Sequence, residues 1–314
     1  MGRYGFVGRR LLHTVPMLLG IVLVVFMLLH ITPGDPARNV AGLRASQEEV
    51  AQVRADLGID RPLPVQYVDY VSGLLRGDLG YSYKSKEAVS SMISGRIEVT
   101  AWLLSATILI TAVFGLPLAI LAARRHDRFT DQMIRIACLF GLSMPAFWVG
   151  AMLLLLVALP TGWFPAGGFG ETTADHVRSV ILPGLTLAIG MAPVLIRSLR
   201  ASILSTLDQD YVATARSIGL PERHVMRHFV LRNAATSSVT LVALEIGFLL
   251  FGAVVVESTF ALPGVGQGLV LSARGRDLPA IQGYTLLFAV AVVIINLLAD
   301  IVNAMLDPRV EISS

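Results

Sequence analysis

The chain has 314 residues, 54% hydrophobic and 15% charged, with a mean hydropathy of +0.70, whereas a soluble domain carries about 25% charged residues. Repeated apolar stretches long enough to cross a bilayer make one helical membrane domain the expectation, in place of the roughly two soluble domains such a length suggests. The net charge of +3 is spread over basic residues at the ends of apolar runs, which argues against a nucleic-acid footprint, and the single cysteine, Cys138, excludes an intrachain disulfide.

The first apolar run, 11–31, follows a basic N-terminus, 1–10. It is too long for a signal-peptide core, and Thr32-Pro33-Gly34-Asp35-Pro36 after it shows no small-residue cleavage pattern, so a retained transmembrane helix is expected. The next segment, 32–97, balances eight acids against eight bases. Within it Ser46-Gln47-Glu48-Glu49 opens a helix with a hydroxyl cap and an acid three residues on, and Leu57-Gly58 closes that helix. A second helix over 65–75 ends at Gly77. The segment reads as a small folded external insert. Five further spans are expected at 98–123, 132–159, 180–199, 237–256 and 281–305, for six in all, with Cys138 a small packing residue in the third. Pro117, Pro145 and Pro193 are expected to interrupt their helices. The spans over 98–305 form a five-helix core with a loop at 200–235, and 306–314 is a C-terminal tail.

Arginine placement gives the orientation, because positive charge near a helix end stays in the cytoplasm. Arg3, Arg9 and Arg10 precede the first span. Arg124, Arg125 and Arg128 follow the second, Arg216, Arg223, Arg227 and Arg232 lie between the fourth and fifth, and Arg309 follows the sixth. The other connections carry only Arg178, Arg274 and Arg276 outside the long insert, which is exempt from the rule. Both termini are therefore expected in the cytoplasm.

The most informative stretch runs from Asp208 to Arg223. Asp208 or Asp210 suits the cap of a short helix, Gly219 suits a left-handed residue just past its end, and Pro221 with Glu222 suits the first turn of another short helix. Tyr211, Ala215 and Ile218 fall on one face at helical spacing, and Ala213 and Thr214 are small enough to let another backbone come close. This stretch resembles the signature loop of binding-protein-dependent ABC permeases, whose pattern is Glu-Ala-Ala, three residues, Gly, then nine residues before Ile-x-Leu-Pro. Ala215 and Gly219 keep that spacing. Ala213 stands at the Glu, Thr214 at the first Ala, Phe229 at the Ile and Arg232 at the Pro. These departures resemble the dipeptide and oligopeptide branch, which reads Tyr-Val-x-Thr-Ala-Arg-x-x-Gly-Leu, as Tyr211 to Leu220 does.

Further similarity to that branch runs along the chain. It includes Arg9-Arg10, Pro33-Gly34-Asp35-Pro36, 57–63, Gly77-Asp78-Leu79-Gly80-Tyr81-Ser82, 143–147, 257–266, Arg276-Asp277-Leu278-Pro279 and Asp307-Pro308-Arg309. The resemblance implies an all-α, six-span type I ABC importer permease in a bacterial cell membrane, surrounded by lipid. It implies a second homologous permease, two ATPase subunits or domains, and an extracytoplasmic peptide-binding protein. It also implies that Asp210, Tyr211, Val212, Ala213, Ala215, Arg216, Gly219 and Leu220 dock on an ATPase. The cargo would be dipeptides or short oligopeptides, with nickel, glutathione or haem as alternatives within the family.

No Gly-x-x-x-x-Gly-Lys-Ser/Thr loop occurs, so ATP and Mg are expected on the partner ATPases and no cofactor on this chain. Gly264-x-Gly266-x-Gly268 has no strand before it and is expected as a turn between the last two spans. The six histidines form no His-Glu-x-x-His pattern and no hydrolytic triad is visible, so neither metal nor catalytic residues are expected. A charge inside the bilayer costs at least about 2.5–3.5 kcal/mol. That singles out Glu245 and Asp300, with Glu257 and Asn296, as candidates for the pathway or its gate. Asp300 is expected to pair with Arg197 or Arg200, and Asn303 lies close to its face. An ion-coupled secondary transporter is the rival from another class, and it would rest on Glu245 and Asp300 alone. A membrane-embedded enzyme would need a catalytic pair that the sequence does not show.

Overall fold

A computed structural model describes residues 3–31, 35–41, 45–56 and 58–306, with the side chains of all of these except 3–11, 13, 28–30, 36, 39, 40, 56, 235–244, 299, 300 and 302–306. Expectations resting on Pro33-Gly34, Leu57 and Asp307-Pro308-Arg309, or on the side chains of Arg3, Arg9, Arg10, Asp300 and Asn303, lie outside the described residues.

Helix α1 covers Arg3–Ile31, and α2 (Pro36–Ala41), α3 (Gln47–Asp56) and α4 (Leu63–Leu75) follow. Strands β1 (Tyr81–Ser82) and β2 (Glu87–Ala88) form a small antiparallel hairpin with Tyr81 opposite Ala88. Next come α5 (Val89–Arg124), α6 (Phe129–Ser143) and α7 (Ala146–Leu153), the last running through a π-helical stretch, Leu154–Ala158, into α8 (Leu159–Thr161). Helices α9 (Thr173–Leu207) and α10 (Asp210–Ser217) precede α11 (Glu222–His224), which passes through a second π stretch, Val225–Leu231, into α12 (Arg232–Thr259). Helices α13 (Val265–Gly275) and α14 (Leu278–Leu306) complete the order.

Inside a bilayer no water is available to backbone amides, so apolar segments close their hydrogen bonds as helices. Helix α5, with 36 residues, is about 54 Å long, beyond the roughly 30 Å of a hydrocarbon core. Among the described residues α5, α9 and Leu278–Leu298 of α14 are long and apolar enough to cross a membrane. The expected third span is not straight. It breaks between Ser143 and Ala146, and the two parts are bent by 102°. Met144 takes the extended conformation (φ −89, ψ 126) that a following proline imposes, and Pro145 caps α7. Pro117 and Pro193, by contrast, lie within α5 and α9, which continue through them. The first and fifth expected spans fall in α1 and α12. In α1 the apolar stretch, Thr14–Met27, is shorter.

The chain divides into two compact units. The first comprises the residues up to Thr100 together with Pro263–Val293. Its α3 begins with the expected reciprocal cap: Ser46 N donates to Glu49 Oε2 at 2.7 Å and Glu49 N to Ser46 Oγ at 3.2 Å. Helix α4 ends with Gly77 N donating to Leu74 O and Asp78 N to Gly73 O. It rests on α1 through Phe26, which meets the Tyr67 ring edge-on at 5.4 Å and the Tyr70 ring at 5.9 Å. Burial pushes the Tyr70 hydroxyl up to about 12, so it stays protonated at physiological pH. Two motifs far apart in sequence meet here. Ser82 Oγ donates to Asp277 Oδ2 at 2.5 Å, and Lys84 Nζ donates to Gly275 O at 3.0 Å. Asp277 Oδ1 in turn accepts from Ala280 N at 3.4 Å, at the start of α14.

The run Gly264-x-Gly266-x-Gly268 is not the expected turn. Gly264 caps α13, and Gly266 and Gly268 are buried within it. Helix α13 approaches α14 so closely that a Cβ at Gly268 would lie 2.6 Å from the Tyr284 ring. The glycine is there for proximity, not for backbone freedom.

The second unit comprises Ala101–Leu262 and the residues from Ile294 onward. Its centre is α9, opened by a cap that the sequence reading passed over: Thr172 and Asp175 exchange side-chain bonds with each other's backbone N–H at 3.2 Å. Helices α6, α7 and α12 pack against α9. Its inward residues include Val180, Leu187, Met191, Ile196, Leu199 and Ile203, all at most 6% exposed. Cys138 is buried in this core, as expected for a packing residue. Replacing Gly268 with Ala should destabilise the first unit by about 1–3 kcal/mol through overpacking against Tyr284, seen as a lower thermal midpoint in detergent. Gly268→Ala with Tyr284→Leu should recover much of the loss.

Candidate functional site

The loop between α9 and α12 is built by three short-range devices. Asp208 ends α9, its N–H donating to Leu204 O at 3.3 Å. Gln209, extended at φ −80 and ψ 143, takes the cap position of α10, so neither Asp208 nor Asp210 is the cap. Asp210 is instead the first helical residue, where its charge complements the exposed N–H groups of the first turn. The far end matches expectation: Gly219 is left-handed at φ +81. Gly219 N donates to Arg216 O at 3.0 Å and Leu220 N to Ala215 O at 3.3 Å, which together satisfy the last carbonyls of α10.

Pro221 (φ −61, ψ 139) caps the following helix. That helix is not short, because α11 continues through the π stretch into α12. Arg216 clasps Glu222 across the corner with two bonds, Nη2 to Oε1 at 2.8 Å and Nε to Oε2 at 3.2 Å. The Arg216 fork holds the Glu222 carboxyl below the usual carboxylate range. A depressed value means that the pair stabilises the corner at neutral pH and loses that contribution as acid protonates Glu222. Both side chains are about half exposed, so the effect is small.

The faces of α10 are divided differently from the expected Tyr211, Ala215, Ile218 stripe. Val212 and Ala215 point inward, 0% and 3% exposed. They join one hydrophobic cluster with Ala119 and Ala123 of α5, Cys138 of α6, Leu199 and Ile203 of α9, and Ala234 of α12. Full burial of a valine is worth about 1.5–3 kcal/mol, so this seat fastens α10 to the ends of four other helices. Leu220 packs on the same cluster. Tyr211, Thr214 and Ile218 point outward at positions i, i+3 and i+7, with Ile218 71% exposed. Ala213 lies exposed beside them, and the Tyr211 hydroxyl accepts from Asn233 Nδ2 at 3.1 Å. The result is an outward surface of small and apolar groups on a firmly seated short helix.

Next to this seat lies an ion pair that the sequence reading missed. Arg200 of α9 grips Asp131 of α6 with Nε to Oδ1 at 2.7 Å and Nη2 to Oδ2 at 2.6 Å, and Asp131 is fully buried. Asp127 N donates to the same carboxylate at 3.0 Å. Of the two arginines expected to serve Asp300, Arg197 or Arg200, the second is committed to Asp131, and the Asp300 side chain lies outside the described residues. The signal that could have revealed this was an acid in the first turn of α6 facing a helix that carries Arg197 and Arg200.

Two of the pathway candidates, Glu245 and Glu257, lie apart on α12. Glu245 lines a cavity of about 190 Å³ with Met144, Thr186, Met191, Phe248 and Leu249. Glu257 is fully buried near the other end of α12, and its carbonyl accepts from Leu262 N at 2.9 Å. Twelve residues, or about 18 Å along the axis, separate these two acids. Asn296 is half-buried in α14.

The chain is similar to known proteins along nearly its whole length. The family described as "Binding-protein-dependent transport system inner membrane component" matches residues 115–312. Its N-terminal counterpart, "Binding-prot-dependent transport system membrane comp, N-term", matches residues 3–104. The glutathione transport system permease protein GsiC of Salmonella typhimurium LT2 is 39% identical over 306 residues, covering 98% of each chain. That of Escherichia coli K12 is 38% identical over 306 residues, again 98% of each chain. That of Pectobacterium atrosepticum is 39% identical over 303 residues, covering 96% of this chain and 97% of the relative.

Replacing Asp131 with Ala should cost about 3–5 kcal/mol, because Arg200 would be left with an uncompensated charge. The double change Asp131→Ala, Arg200→Met should cost much less. Thermal unfolding of the purified protein in detergent compares the two, and equal losses would mean that the pair does not act as a unit.

Proposed function

The chain belongs to the inner-membrane components of binding-protein-dependent transport systems, and on that premise we propose that it carries dipeptides or short oligopeptides, glutathione among them, into the cell. It is an ABC importer permease, an integral inner-membrane protein and a transport subunit, not an enzyme. A family of this kind works with a partner permease, ATPase subunits and a binding protein. The peptide assignment is supported by similarity over 98% of the chain to permeases named for glutathione, itself a short peptide.

In this proposal both termini and the Asp208 to Arg223 loop are cytoplasmic, and six spans form half of a pathway completed by a homologous permease. The partner ATPases hold ATP and Mg. The observation that carries the coupling role is the seat of α10: Val212 and Ala215 are locked into a cluster shared with α5, α6, α9 and α12, while Tyr211, Thr214 and Ile218 face outward. An ATPase surface that receives the outward face and moves on closing displaces the seat, and the seat displaces four helices. The two access states are then biased by nucleotide through one contiguous contact. Asp210 and Arg216 flank that surface with charges of opposite sign. Glu245, at its cavity, is the acid best placed to meet cargo, and Glu257, Asn296 and Asp300 are proposed for gating.

Three measurements test this reading. ATP-dependent uptake by the reconstituted complex should accept dipeptides or glutathione and leave nickel and haem outside, and uptake of nickel or haem alone would replace the peptide assignment. Gly219→Val meets no steric neighbour, but it places a β-branched residue in the left-handed region at a cost of about 1–2 kcal/mol. It should weaken recovery of the ATPases with the tagged permease roughly five- to thirtyfold while membrane insertion persists. A cysteine at Ser217, in a Cys138→Ser background, should react only from the cytoplasmic side.

A further inference from the structure

An open pocket of about 670 Å³ lies between the start of α6 and the end of α9, lined by His126, Asp127, Arg135, Arg197, Ser198 and Arg200. Its acids are accounted for: Asp127 lies 3.3 Å from the His126 ring, and Asp131 behind the wall is held by Arg200. Arg135 and Arg197 are exposed and have no ion-pair partner among the described residues. Two exposed guanidiniums therefore face one opening, neither of them paired among the described residues.

Three observations identify the occupant. Guanidinium groups match phosphate oxygens with paired hydrogen bonds, which suits a phosphate better than a single point charge. Arg135 lies just inside the start of α6, and Arg197 and Arg200 lie near the end of the apolar part of α9. That is the depth at which long basic side chains reach the headgroup layer. Further along α6 on the Arg135 side, Leu139 and Leu142 are 59% and 42% exposed, at positions i+4 and i+7 from Arg135. A phosphate socket above an exposed apolar stripe matches a molecule with an anionic head and hydrocarbon tails.

We propose that this pocket binds the phosphate of an anionic phospholipid from the cytoplasmic leaflet, with the acyl chains lying along the α6 stripe. Basic pockets between membrane helices on that side suit such headgroups. Leaflet assignment rests on the orientation proposed above, whereas the socket itself does not. Bound lipid would brace α6 against α9 beside the α10 seat, so the ATPase-driven motion would depend on the surrounding membrane.

The test uses the assembled transporter, delipidated in detergent and then exposed to phosphatidylglycerol or phosphatidylcholine, with retained lipid counted by native mass spectrometry. Phosphatidylglycerol should be retained and phosphatidylcholine lost. Arg135→Gln with Arg197→Gln should weaken phosphatidylglycerol retention about thirtyfold, whereas the Arg→Lys pair should keep only part of it, through charge without the paired bonds. Arg200 is left intact so that its clasp on Asp131 does not confuse the result. Unchanged retention in the double Gln variant would overturn the proposal. Displacement of the lipid by inorganic phosphate at equal concentration would point to a soluble anion instead. Binding to the permease alone but not to the assembled complex would make the pocket a protein interface. Labelling of the Ser217 cysteine from outside would overturn the orientation while leaving the lipid count interpretable.

Discussion

A bilayer offers backbone amides and carbonyls no solvent, and every departure from continuous helix in this chain must be compensated locally. In the segments between the apolar spans, helix ends are closed by local bonds as well. Gly77 and Gly219 close α4 and α10 with the same pair of bonds from the residues just past the helix end. Ser46 with Glu49 and Thr172 with Asp175 close helix starts. The Ser143–Ala146 break places Pro145, which has no N–H, at a position where no helical donor is needed. Where no such device exists the helix continues, as α5 does past Pro117 and α9 past Pro193.

The same economy shapes the loop proposed for coupling. Helix α10 has eight residues, too few to be stable alone in water. It holds because Val212, Ala215 and Leu220 share a core with the ends of longer helices, so its position and theirs are not independent. The Arg216–Glu222 clasp adds geometry at the corner more than stability, since both groups face solvent. By contrast the buried Asp131–Arg200 pair fixes α6 to α9 with two short charged bonds where solvent screening is weak. Family similarity makes the chain an ABC importer permease, and this arrangement supplies a mechanical rationale for such a subunit.

Much of the local structure was legible in the sequence. The left-handed Gly219, the Ser46 to Glu49 cap and the apolar runs that became α5, α9 and α14 follow from short-range chemistry that acts within four or five residues. The failures share a different cause. Which side of α10 faces inward could not be read, since Val212, Ala213, Thr214 and Ala215 offer small groups on every side and only the neighbouring helices select among them. Asp131 with Arg200, and Ser82 with Asp277, are separated by 69 and 195 residues, and although each group is visible in the sequence, nothing local joins it to its partner. Gly268 looked like a turn residue because glycine has two uses, and the second, close helix approach, depends on Tyr284 arriving from another helix.

The connectors of α10 are short. Two residues, Asp208 and Gln209, join it to α9, and four, Ile218 to Pro221, join it to the helix that becomes α12. Slack in a tether absorbs displacement, and these tethers have almost none. An insertion of even a few glycines on either side would let α10 move without moving its neighbours, so epitope tags and fluorescent fusions belong in the longer connection of 162–172, where added length decouples nothing.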